Sequence, residues 1–131
     1  MGGKDAQDRA AREDQGRARH EAEARARLLR AGGDRLAERP WQRAPVPPSA
    51  VDLAHLALWR SAELEPADVL AALALVPAAR AEVDALESAL LFVARGAGLT
   101  WAQIADATGF NSPQACQQHH TRVAGRRGAA S

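Results

Sequence analysis

Apolar positions are sparse at the start of this chain and fall into helical periods toward its end. Residues 5–39 are mostly Arg, Ala and Glu, with Leu28, Leu29 and Leu36 as the side chains worth burying. Asp8 and Arg12, Glu13 and Arg17, Glu21 and Arg25, and Glu23 and Arg27 stand four apart with the acid first, an order that favours helix by about 0.2–0.5 kcal/mol per pair. Gly16 and the Gly32-Gly33 pair interrupt the pattern, so the stretch predicts a solvated, frayed helix or a disordered arm. Pro40, Pro45, Pro47 and Pro48 then exclude helix and favour an extended segment, with Trp41 placed to dock on the body. The domain boundary is expected near Pro48.

Beyond it the period changes. Ser49 caps a helix with Asp52 in its first turn. Leu53, Leu56, Ala57 and Leu64 share one face while Val51 and Leu58 lie on another, which predicts a helix covered on two sides or paired with a second chain. Pro66 opens the next helix, with Asp68 in its first turn and Val69, Leu70, Leu73 and Val76 as its apolar set. Pro77 stops or kinks that helix. A longer helix over 78–95 carries Val83, Leu86, Leu90 and Val93 at heptad-like spacing, a core stripe, with Phe92 pointing the other way. Gly96 and Gly98 end it.

The last third holds two short helices across a tight turn. Thr100 and Gln103 form a capping box, flanked by Leu99 and Ile104 at the spacing of a hydrophobic staple. Gly109 ends this helix where a left-handed conformation costs least, and Phe110 fills the corner. Asn111 or Ser112 caps the second helix and Pro113 sits in its first turn. At 100° per residue, Ala115, His119 and Val123 fall on one face with Cys116 beside them. Gln114, Gln117, Gln118 and Thr121 fall opposite, at the i, i+3, i+4, i+7 spacing that usually carries an apolar stripe. A row of outward Gln side chains offers paired donors and acceptors, and Gln can bond adenine in two-pronged fashion in the major groove.

An Ala four residues before the turn Gly, and a small residue six after it, resemble the helix-turn-helix of sigma-factor region-four-like modules and of small actinobacterial DNA-binding proteins. The likeness runs over residues 82–124 and rests on Ile104, Ala105, Gly109, Phe110, Ala115 and Val123 as inward positions. It implies that residues 113–123 form a recognition helix, with Gln114, Gln117, Gln118 and Thr121 facing bases and Thr100, Trp101, Asn111 and Ser112 nearer phosphates. His119 departs from the pattern, standing where such modules often place a large aliphatic residue.

Composition sharpens this picture modestly. The chain has 131 residues, 47% hydrophobic but only 4% aromatic and without Tyr, which favours helix on helix over sheets and predicts an all-α protein. Three regions follow: a charged arm and Pro-rich linker over 1–48, a helical domain over 49–125 with the helix-turn-helix at 100–123, and a basic tail over 126–131. The net charge of +1 hides an uneven distribution: 11 basic and 8 acidic residues in 1–43, 3 and 8 in 44–106, and 3 with no acid in 107–131. The last three, Arg122, Arg126 and Arg127, suit phosphate contact. All but Lys4 of the 17 basic residues are arginine, a bias that a GC-rich genome also produces.

Other chemistry is thin. Cys116, His119 and His120 offer three donors where a structural zinc site takes four, so no metal is expected. His55 suits a packed or surface position. Glu63 and Glu65 suit a helix dipole. No glycine-rich phosphate loop, nucleophile elbow or carboxylate pair is present, so neither catalysis nor a cofactor is expected. A single Cys fits a reducing cytoplasm, and the absence of a long apolar run argues against a membrane span. The expectation is a cytoplasmic, nucleoid-associated regulator of transcription that binds double-stranded DNA as a homodimer, the apolar surplus of residues 49–76 supplying either the dimer surface or, equally well, an intrachain core. Its rival is an adaptor that keeps the two-helix fold and contacts RNA polymerase without reading bases.

Overall fold

A computed structural model describes residues 3–130, with side chains through Arg126. Among the described residues the chain is all-α: α1 (Gly3–Arg30), α2 (Ala50–Trp59), α3 (Pro66–Ala74), α4 (Val76–Gly96), α5 (Trp101–Thr108) and α6 (Pro113–Ala130), with a 3-10 turn at Gly33–Arg35. They divide into two compact units, Met1–Ala79 and Arg80–Ser131.

In the first unit, α1 passes through Gly16 without a break, although a helical Gly costs about 1 kcal/mol relative to Ala. Only its first half is free of packing. Ala24 and Leu28, one turn apart, are buried with Ala50, Leu53, Ala57, Ala71 and Leu75, so the residues before Pro48 contribute to the same core as those after it. The chain reverses behind α1 at Gly33, where a Cβ would meet the Leu53 side chain and stand 2.9 Å from the Leu28 carbonyl oxygen. Trp41 stays 80% exposed rather than docking. The linker is held by polar contacts instead: Gln42 Nε2 donates to the Pro47 carbonyl at 2.6 Å and Arg39 pairs with Asp52 at 3.2 Å.

Ser49 caps α2 as expected, its hydroxyl accepting from the Asp52 amide at 3.0 Å. Ala50, Leu53, Leu56 and Ala57 are buried whereas Leu58 and Trp59 are exposed, so α2 is covered on one side. The inner face of α3 differs from the expected apolar set. Val69, Leu70 and Leu73 face solvent, and Asp68, Ala71 and Leu75 are turned inward. An ion pair accounts for the rotation: Arg27 Nε donates to Asp68 Oδ1 at 2.6 Å and the same guanidinium reaches Glu65 at 3.1 Å. Asp68 also accepts from the Glu65 amide, closing a capping box at the start of α3. Burying this carboxylate is tolerable because it is fully hydrogen-bonded.

As expected, α3 ends just before Pro77, at Ala74, and Pro77 then sits in the first turn of α4, where its missing amide hydrogen is not needed. In the second unit α4 turns Leu91 and Ala94 onto Ile104, Ala105 and Cys116. The stripe of Val83, Leu86, Leu90 and Val93, expected in the core, lies in solvent. The side that meets α6 is largely polar, with Glu87 Oε1 3.0 Å from His119 Nε2 and Asp84 3.7 Å from Arg126. Apolar period located the helix, and its inner face is shared by Leu91 and Ala94 with the polar contacts of Asp84 and Glu87.

The guanidinium hydrogen bond from Arg27 holds the Asp68 carboxyl below its ordinary value of 3.8, with burial opposing. A carboxyl whose pKa is lower in the folded than in the unfolded state stabilises the fold above the unfolded value, and that contribution disappears as pH falls through the folded value. Asp68→Asn is therefore expected to destabilise the protein at pH 7 by about 2 kcal/mol, the range of a charged hydrogen bond. Urea denaturation should also show the wild type losing more stability than Asp68→Asn when the pH is lowered below about 4.

Candidate nucleic-acid interface

The local chemistry of residues 99–113 sets the angle between α5 and α6. The Gln103 amide donates to Thr100 Oγ1 at 3.1 Å and Gln103 Oε1 accepts from the Thr100 amide at 2.8 Å, the reciprocal box read from the sequence. Gly109 adopts φ 80° and closes α5 in the left-handed region. The Phe110 amide then donates to the Ala105 carbonyl at 2.9 Å, and the Phe110 ring packs beneath the turn on Ile104, Ala105 and Cys116. Of the two candidate caps for α6 it is Ser112 that acts, accepting from the Ala115 amide at 3.1 Å.

The inward line of α6 is Cys116, His120 and Val123, all buried, one residue rotated from the expected line through Ala115, His119 and Val123. Ala105 and Cys116 are small, which lets the two helices approach closely, and Thr108 Oγ1 lies 3.7 Å from Cys116 Sγ. His119 is half-buried at the edge, against Phe110 at 5.0 Å between ring centroids and Glu87 at 3.0 Å. His120 is the histidine in the core, its ring 5.8 Å from that of Trp101. Both of its ring nitrogens are buried without a hydrogen-bond partner. The helical wheel carried the signal for this, since 116, 120 and 123 share a face.

With that line buried, Gln114, Gln117, Gln118 and Thr121 are all exposed on the opposite side and together with Arg122 line one shallow depression. The Thr121 hydroxyl donates to the Gln117 carbonyl at 2.9 Å and keeps its lone pairs for a donor from outside. The expected phosphate-facing residues divide. Arg122 and Asn111 are exposed, and Arg126 is exposed while within 3.7 Å of Asp84. Thr100 and Ser112 spend their side chains on caps. Trp101 is half-buried, with the Arg95 guanidinium 5.3 Å from its ring centroid and His120 beneath, so it is part of the packing. The Arg127 side chain lies outside the described residues.

Glu87, His119 and His120 place one donor atom each within 4.8 Å of one another. The trio differs from the one read in the sequence because Cys116 turns toward Thr108 and Glu87 enters from α4.

Compared with protein families, curated proteins and solved structures, the chain matches none.

An unpaired buried polar group costs roughly 1–3 kcal/mol. His120→Phe keeps an aromatic ring against Trp101 and removes both orphaned nitrogens, so it is expected to raise the urea midpoint by an amount equivalent to about 1 kcal/mol or more. A lower midpoint would show that those nitrogens are satisfied in solution.

Proposed function

We propose that α5 and α6 form a helix-turn-helix that binds double-stranded DNA, with α6 laid in the major groove, and that the protein regulates transcription. One observation carries this reading: a row of uncharged hydrogen-bonding side chains, Gln114, Gln117, Gln118 and Thr121, stands open to solvent on a helix whose other side is locked into a core. Fixed amides in register suit the donor and acceptor edges of bases, adenine above all. Arg122 beside the row and Arg126 at its far end supply the contacts to phosphate that carry most non-specific affinity. Two such units, one DNA turn or about 34 Å apart, give the affinity that a single short helix lacks.

A second reading draws on the scarcity of cations around that row. Arg126 is already near Asp84, and among the described residues Arg122 is the cation that lines the depression with the row; so few cations beside the row also fit an adaptor that contacts RNA polymerase without reading bases.

Selection from a random DNA library, followed by mobility shift over a salt series, separates the two. DNA reading predicts an enriched motif and affinity that falls steeply with salt. Gln117→Ala with Gln118→Ala should flatten the preference among sequences while lowering bulk affinity less, and Arg122→Ala should weaken all sequences alike and reduce the salt slope by about 1. Loss of binding on replacing Arg122 and Arg126, with selectivity untouched by the Gln changes, would leave charge as the whole interaction and refute base reading.

A further inference from the structure

We propose that Glu87, His119 and His120 bind a zinc ion that joins α4 to α6, with a water completing its coordination. Each residue offers one donor atom, and the three atoms lie within 4.8 Å of one another. Donors on a shared tetrahedral zinc stand about 3.3 Å apart, given bond lengths of about 2.0–2.1 Å. Glu87 Oε1 and His119 Nε2 are already 3.0 Å apart. The His119 and His120 rings stand edge to face with centroids 5.2 Å apart, so small side-chain rotations bring the third donor in. The pairing of Glu87 with His119 is no obstacle. A carboxylate and an imidazole that face each other across a proton both present lone pairs to a metal once the imidazole is neutral.

His120 supplies an independent reason. It is 7% exposed, and neither ring nitrogen has a hydrogen-bond partner. A neutral imidazole keeps one nitrogen with a free lone pair, and burying it without a partner is costly. A metal ion takes that lone pair directly. The three donors also line an apolar groove together with Leu86, Leu90, Leu99 and Ile104. A structural zinc site is closed by four protein donors, whereas three with an open fourth position is the arrangement that keeps a water. Two nitrogen donors disfavour magnesium and calcium, which take oxygen. Zinc, with no geometric preference of its own, best tolerates ligands on adjacent residues of one helix. The site shares no residue with the Gln row and does not rest on DNA reading.

Calorimetric titration of zinc chloride into the full chain, first stripped with a chelator and then freed of it, should show one ion per chain with a Kd of about 1 μM or tighter. Glu87→Gln keeps an acceptor for His119 and should stay folded by far-UV circular dichroism. It should nevertheless weaken zinc by about tenfold or more, since even a group that only orients a ligand is worth that much. His119→Ala and His120→Phe should weaken zinc at least as far. His20→Ala with His55→Ala, both exposed, should leave the affinity unchanged. Zinc should raise the urea midpoint of the wild type and leave that of His120→Phe where it is. Absence of saturable binding, unchanged affinity in any one of the three site variants, or a zinc-induced rise in midpoint that His120→Phe shares overturns the proposal.

Discussion

The contact of Ile104 and Ala105 with Cys116 fixes what the second unit can present. Two small residues at a helix crossing let backbones come close, and the larger Ile104, Leu91 and Phe110 then seal the space around them. Once Cys116 is pinned on that side, the helical period leaves no choice for the rest of α6. His120 and Val123 must follow it inward, and the Gln row must face away. The turn reinforces the arrangement because the Thr100 box, Gly109 and the Ser112 cap each fix one helix end. A helix fixed at its N-terminus by Ser112 and along one side by Cys116, His120 and Val123 gives its outward side chains a common frame.

The first unit is built on a different principle. Its core is built of leucine and alanine, and Arg27 and Asp68 bridge α1 to α3 on the side of α3 that is buried. Replacing such a pair with well-packed apolar side chains often gives equal or greater stability, so its presence is better understood as specifying an arrangement than as strengthening one. The exposed Leu70 and Leu73 show the consequence: with the ion pair in place, the more apolar side of α3 is the outer one.

What could be read from the sequence follows from where the information was local. Caps, helix-opening prolines and the turn glycine act over three or four residues, and Ser49, Pro66, Thr100, Gly109 and Pro113 appear in the structure in those roles. Helical period likewise placed α4 and α6. The rotation of each helix depends on its neighbours, and there the apolar pattern misled: α3 turns Asp68 inward and α4 turns Asp84 and Glu87 toward α6, because partners distant in sequence satisfy those charges. Arg27 lies 41 residues before Asp68 and Glu87 lies 32 before His119, separations that no local pattern encodes. The Gln row was legible because helical period sets it opposite the buried line of Cys116, His120 and Val123. The Trp101 assignment was not, since its ring packs against both His120 and Arg95.

The burial of Cys116 gives the protein an internal reporter. Its thiol has no accessible surface, and a thiol reacts with an alkylating reagent only when exposed as the thiolate. Labelling must therefore wait for α6 to lift from α5. With a single cysteine in the chain, the labelling rate in unmodified protein measures how often that separation occurs, without a probe having to be introduced.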